Sequence, residues 1–237
     1  MSGLLIAATD TDSGKTVLTC ALIAYWQRYC QPYRLGVLKP LQSGTGDRER
    51  YQQLFELDQS LSELNPLFYK APLAPPVAAA LEGKFIDLTP AWQAFQQLSA
   101  RRDWVLVEGL GGLGSPVTDE LTVADLAASW RLPVVLVVPV KLGAIANAVA
   151  NVALARQTRL QLQGIVLNCI APLSSEERDQ KAPIALIESL TQIPVLGTLP
   201  YLSDPGDLTQ LSQAASQLTL EAIMPHPFWT GPQPGHS

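Results

Sequence analysis

A doubly wound α/β domain is the fold class this sequence predicts: a single, mostly parallel sheet with helices on both faces. Three observations carry it. Short β-rich runs alternate with helical stretches along the chain. Several of the runs, PVVLVVPV at 133–140 above all, are continuously apolar, as strands buried on both faces are. The first run, GLLIAA at 3–8, leads through a polar turn into G-K-T and an apolar helix pattern, which is how a phosphate-binding loop is built.

In chain order, strand 3–8 is followed by helix 15–29 across the turn TDTDSG. Strand 33–40 (YRLGVLKP) ends in Lys39 and Pro40, with the small polar turn QSGTG after it, and helix 47–57 comes next. The stretch 64–88 carries Pro66, Pro72, Pro75 and Pro76 and reads as loop. Helix 89–101 then enters strand 103–109 (DWVLVEG). Helix 121–130, strand 133–140, helix 143–158, strand 162–168, helix 176–191 and strand 194–200 complete the alternation. Ligands of such a sheet bind at the carboxyl ends of its strands.

The chain shows no internal repeat and no inter-domain linker, so one domain is expected over 1–223. The last stretch, 224–237 (MPHPFWTGPQPGHS), is rich in proline and glycine and reads as a poorly ordered tail. Both histidines, His226 and His236, lie in that tail, so the folded body has no histidine to act as a general base. Apolar residues at 47% and charged ones at 16% exclude disorder for most of the chain.

A net charge of −5 without a basic run predicts no nucleic-acid partner. The longest apolar stretch, near 132–140, is interrupted by Pro133 and Pro139 and is too short to span a bilayer, so no membrane partner is expected. With no positively charged leader before the first strand, a soluble cytoplasmic protein is expected. Cys20, Cys30 and Cys169 are scattered, form no metal-type spacing, and read as reduced thiols, mostly core.

Chemistry converges on a few residues. In a strand–loop–helix unit the loop N–H groups and the helix N-terminus face an anion. Gly14 lets the backbone approach, Lys15 can reach β- and γ-phosphates, and Thr16 can ligate Mg²⁺. Glu108 ends a buried strand just before the glycine turn GLGG (109–112), where it can hold a metal from the side opposite Thr16. Asp47 has two readings, a second metal ligand or the cap of the helix that follows. Lys39, at a strand tip on the same edge of the sheet, can neutralise a transferring phosphoryl group or an anionic acceptor.

These residues resemble the dethiobiotin synthetase family from the first strand to about residue 207. The family loop G-T-D-T-x-x-G-K-T is similar to ATDTDSGKT (8–16), with Ala8 in place of its first glycine. KPLQSGTGD (39–47), NPLFYKAPLAPPVAA (65–79), VLVEGLGGLGSPVTD (105–119), LVVPVKLGAIANA (136–148) and GIVLN (164–168) resemble its further motifs in order. Ala146 and Asn147 stand where the family often has Asn-His, near its dimer interface and the substrate carboxylate. Ala8 is expected to keep a negative φ and tighten packing before the loop.

The resemblance implies an ATP-dependent enzyme, with Mg²⁺ as cofactor and ATP as co-substrate. Its other substrates would be 7,8-diaminononanoate and CO2 or bicarbonate, and it would act as a homodimer. The diamine becomes a carbamate, which attacks the γ-phosphate, and the second amine closes the ureido ring of dethiobiotin. Phosphoryl transfer of this kind needs positioning and charge neutralisation more than a strong protein base. By position, Lys39 and Lys15 would be catalytic, and Thr16, Asp47 and Glu108 would hold Mg²⁺. Ser43 and Thr11 would meet the diamine. Asp12, Ser13, Gly14 and Val17 would line the nucleotide from the loop, and Gly109, Leu110 and Gly111 from the glycine turn. Asn168 would read the adenine edge, with Cys169 beside it, the turn Pro200, Tyr201, Leu202 lining the base and Asp207 near the nucleotide.

Two other readings share the fold. Partitioning and septum-positioning ATPases carry a second lysine at the start of the loop, where this chain has Asp10 and Thr11. A non-catalytic nucleotide-sensing module would be free to lose Lys39, Ser43, Asp47 and Glu108, all of which are present. A glutamine-dependent ligase would need a further glutaminase domain, for which the chain has no room.

Overall fold

The computed structural model describes residues 3–30 and 34–224. Strand β1 (Gly3–Ala8) lies inside a six-stranded sheet and has both faces covered. Its alternation sorts the side chains: Leu5 and Ala7 enter one core, Leu4, Ile6 and Ala8 the other. The same division runs through β5 (Trp104–Glu108) and β6 (Val134–Pro139), which flank β1. With β2 (Leu35–Leu38), β7 (Leu162–Asn168) and β8 (Val195–Leu199) the order is β2-β5-β1-β6-β7-β8, every pairing parallel.

Helices cover both faces, as the alternation predicts. Helix α1 (Lys15–Tyr29) and the later helix α10 (Leu208–Ser216) share one core, where Leu211, Ala214 and Ala215 join Leu18, Leu22 and Trp26. Trp26 stacks on Trp104 of β5 with ring centroids 5.3 Å apart. On the other face lie α5 (Thr89–Arg101), α6 (Val123–Ser129), α7 (Ala144–Gln157) and α9 (Ile184–Thr191). There Phe95 stacks on Trp130 at 5.4 Å.

The structure corrects the sequence expectations in several places, among them the turn QSGTG, whose Gln42 and Ser43 are strand, and a short helix at 61–64. The stretch 64–88 is not all loop: it holds β4 (Leu67–Tyr69), paired in parallel with β3 (Leu41–Ser43), and helix α4 (Pro75–Leu81). Its prolines open that helix, because Pro75 and Pro76 fall in the first turn, where no intrahelical N–H is lost. The expected helix 176–191 is two helices, α8 (Ser175–Lys181) and α9, parted at Ala182 and Pro183, the residue that caps α9. Helix α10 was not expected at all. Of the cysteines, Cys20 is core, whereas Cys30 and Cys169 are half-buried.

Two short helices, α2 (Asp47–Leu54) and α3 (Leu61–Leu64), stand at the site end of the sheet between β3 and β4. Met224, the first residue of the expected tail, is buried and its N–H bonds Leu220 O. The tail beyond it, with both histidines, and Tyr33 at the start of the expected strand 33–40 lie outside the described residues. Among the described residues no helix is long and apolar enough to cross a membrane.

Candidate active site

The phosphate-binding loop joins β1 to α1 at the carboxyl edge of the sheet. Ala8 stays in the strand, fully buried and without a positive φ, as expected. The left-handed positions fall later, at Asp12 (φ 54°) and at Gly14 (φ 91°), the N-cap of α1. Aspartate tolerates that region better than most residues, so Asp12 does a turn that glycine does elsewhere. Gly14 has no substitute: a Cβ there would lie 2.0 Å from Asn168 Nδ2. Ser13 is buried and its hydroxyl donates to Asp10 O at 2.9 Å, so its side chain shapes the loop from within.

Glu108, fully buried at the tip of β5, is the centre of the charged cluster. Lys39 follows β2, whose partner is β5, and its Nζ donates to Glu108 Oε1 and to Gly109 O, both at 2.9 Å. The same ammonium pairs with Asp47 Oδ2 at 2.6 Å. Thr16 Oγ1 lies 2.8 Å from Asp47 Oδ1 and 3.1 Å from Glu108 Oε1. Asp47 is therefore no helix cap. Gly46 caps α2, and its N–H is taken by Glu49 Oε2 at 2.8 Å, which leaves the Asp47 carboxylate to face Lys39 and Thr16.

Electrostatics follow from burial and these contacts. Burial opposes charge on Lys39, but Glu108 and then Asp47 outweigh it and hold its pKa above the ordinary lysine value. Burial likewise opposes charge on Asp47, and the Lys39 ammonium overcomes it, so Asp47 titrates below the usual carboxylate range. Lys15 lacks such partners. Its Nζ rests on carbonyls, Gly111 O at 2.7 Å and Asp10 O at 3.4 Å. Burial first, and repulsion from Lys39 next, lower its pKa to about 8. An anion delivered to this loop would restore the charge that burial disfavours.

A cavity of about 890 Å³ opens over these groups, within the range of small-molecule sites. Thr11, Asp12, Gly14, Lys15, Thr16 and Val17 line it from the loop side. Lys39, Ser43 and Asp47 line it from β2 to α2, and Leu110 and Gly111 from the glycine turn. Ser43 Oγ has no hydrogen-bond partner among the described residues, so a hydroxyl is ready for a ligand there.

The remaining candidates sit apart from the cavity walls. Glu108 and Gly109 lie behind Lys39. Asn168 is buried and donates Nδ2 to Ser13 O at 3.0 Å, bracing the loop from β7. Cys169 is half-buried, Pro200 and Tyr201 are exposed, and Pro205 is the residue of that loop on the cavity. Asp207 caps α10, Oδ1 accepting from Thr209 N at 2.8 Å and Gln210 N at 3.1 Å, and these bonds hold its pKa low.

Sequence reasoning missed several residues that the fold brings in. Gln42, Arg50, Ser115 and Pro205 line the cavity. Asn65 is buried and donates to Lys39 O at 2.8 Å, while Leu64 O takes the Lys39 N–H at 2.7 Å. The Asn-Pro step of 65–66 thus clamps the lysine backbone, a role its spacing from Lys39 could not reveal.

A parallel sheet with a G-K-T loop at the end of an inner strand, and a buried carboxylate at the end of its neighbour, defines a phosphate-loop nucleotide-binding protein. A family model described as an AAA domain matches residues 2–208. The ATP-dependent dethiobiotin synthetase of Gloeothece citriformis is 61% identical over 225 residues, covering 95% of this chain and 100% of that protein. That of Crocosphaera subtropica is 56% identical over 223 residues, covering 94% of this chain and 100% of its own. The chain belongs to the dethiobiotin synthetase family, whose members are ATP-dependent ligases. Among solved structures, a ParA family ATPase from Chlorobium tepidum shares the fold at a TM-score of 0.55 and 12% identity, covering 94% of this chain and 98% of its own.

Proposed function

We propose that this protein closes the ureido ring of dethiobiotin from 7,8-diaminononanoate, CO2 and ATP, in biotin biosynthesis. The observation that carries the reading is the meeting of Lys15, Lys39, Thr16, Asp47 and Glu108 at one end of the sheet, beneath a cavity that also presents Ser43 Oγ. One amine of the substrate takes up CO2 and loses a proton, giving a carbamate. A carbamate oxygen attacks the γ-phosphorus and ADP leaves, so no histidine base is needed. The second amine then attacks the carbamate carbon, the C–O bond to phosphate breaks, and the departing phosphate can take the proton.

Lys15, on the loop, neutralises the phosphate chain as it enters. Lys39, which lines the same cavity, would use its ammonium to lower the repulsion between carbamate and phosphate. Ser43 donates to or accepts from the diamine. Thr16, Asp47 and Glu108 offer three hard oxygen donors to Mg²⁺, and the Lys39 ammonium already between the carboxylates fits a cation there. Magnesium held by them would neutralise charge on the β- and γ-phosphoryl oxygens.

A homodimer and a cytoplasmic location belong to the same proposal. Leu142, 93% exposed beside α7, and the exposed Val149 on that helix support a subunit contact there. The reaction path has a direct test. With C¹⁸O2 as carbon source, assayed before its oxygen exchanges with water, one labelled oxygen is expected in each phosphate released. Phosphate bearing no label would mean that water, not a carbamate, attacks the γ-phosphorus.

A further inference from the structure

The two oxygens of Glu108 are used differently. Oε1 meets Thr16 Oγ1 at 3.1 Å and Lys39 Nζ at 2.9 Å, the side on which a metal would bind. Oε2 accepts from Tyr51 OH and from Thr19 Oγ1. Both donors are fully buried. Each stands about one turn beyond a residue of the cluster, Thr19 after Thr16 on α1 and Tyr51 after Asp47 on α2. Helix α1 therefore delivers two side chains to the Glu108 carboxylate, and α2 delivers Tyr51 to it while Asp47 meets the same Lys39 and Thr16.

A ring at position 51 is needed for packing, since Tyr51 is part of the core that includes Phe55 and Leu64. Packing does not explain the hydroxyl. A phenol buried away from water costs free energy unless it is paired, and a phenylalanine would fill the space without that cost. The Thr19 proton is shared, because Thr19 Oγ1 also lies 3.0 Å from Lys15 O. Tyr51 is thus the stronger of the two donors.

We propose that Tyr51, helped by Thr19, is a positioning residue: it closes Oε2 so that Glu108 offers a divalent cation one oxygen, in fixed orientation, beside Asp47. The inference rests on Glu108 being a metal ligand. Partners of this kind set metal affinity by about 10- to 100-fold. The hydroxyl also leaves Oε2 no freedom to rotate toward the cavity and bind the ion with both oxygens.

The test is ADP binding by calorimetry across a series of free Mg²⁺ concentrations, in wild type, Tyr51→Phe and Thr19→Val. The readout is the factor by which Mg²⁺ strengthens ADP binding, together with the half-saturating Mg²⁺. Tyr51→Phe is expected to raise the half-saturating Mg²⁺ about tenfold or more, and Thr19→Val to raise it less. An Mg²⁺ dependence equal to wild type in the folded Tyr51→Phe protein would overturn the inference. So would a loss of ADP affinity equal with and without the metal, which is what a merely structural tyrosine gives. Should Tyr51→Phe not fold, an unshifted Mg²⁺ dependence in Thr19→Val overturns it. Wild type indifferent to Mg²⁺ would instead remove Glu108 as a ligand, and the inference with it.

Discussion

Lys39→Met is expected to lower turnover about a hundred- to a thousandfold and, at the same time, to tighten Mg²⁺ binding. The two effects have one cause. In the structure the Lys39 ammonium is the counter-ion of both carboxylates, 2.6 Å from Asp47 Oδ2 and 2.9 Å from Glu108 Oε1. In the proposed reaction it acts on the transferring phosphoryl group, so the loss of its charge would be felt in the transition state. Before reaction it competes with any divalent cation for the same oxygens.

Methionine keeps an unbranched stem one atom shorter and removes the competitor. It also leaves two carboxylates close together, one of them fully buried, without their lysine. Breaking a buried pair this way costs about 3–5 kcal/mol, and Mg²⁺ should return much of it to the variant. Thermal melts with and without Mg²⁺, beside single-turnover rates, check both halves. A variant that turns over normally, or that binds Mg²⁺ less well than wild type, would take Lys39 out of this role.

The second large effect is expected from Gly14→Ala, a single methyl group. At φ 91° the alanine pays a left-handed cost of about 1–2 kcal/mol. Its Cβ would come 2.0 Å from Asn168 Nδ2 and 2.8 Å from Asn168 Cγ, and Asn168 is buried. Either the loop or the asparagine must move, and the bond from Asn168 Nδ2 to Ser13 O goes with it, about 1 kcal/mol more. Together this is some 2–3 kcal/mol, or roughly 30- to 150-fold in ADP affinity where the loop must hold its shape to bind. The double variant Gly14→Ala/Asn168→Ala removes the collision but not the backbone strain, so it should recover part of the loss. Calorimetry on the three proteins checks this, and ADP bound by Gly14→Ala as tightly as by wild type would refute the account of the loop.

How far the sequence could be read depended on whether a residue works through its neighbours in the chain or across the fold. The core strands and α1, α5 and α7 declare themselves by local apolar pattern, and Gly14, Lys15 and Thr16 by a motif between a strand and a helix. Glu108 and Lys39 were legible as strand tips. Asp47 stayed ambiguous because the same aspartate suits a cap or a charged site, and only the Gly46 cap and the pair with Lys39 decide its use. Helix α4 hid behind prolines that also signal loop, and α10 behind a polar face, although Leu211, Ala214 and Ala215 meet α1. Tyr51, Thr19 and Asn65 act through contacts 57, 89 and 26 positions apart in the chain, which no spacing rule can detect. That the Asn168 amide also braces the phosphate loop is set by the approach of β7 to Gly14, which no local pattern shows.

One measurement tests the central claim most directly. Phosphate release from Mg·ATP with bicarbonate is followed with and without 7,8-diaminononanoate, while dethiobiotin is measured by mass. Phosphate and dethiobiotin appearing together in equal amounts, and only when the diamine is present, is the predicted result. ATP hydrolysis indifferent to the diamine, or nucleotide binding without any turnover, would contradict it.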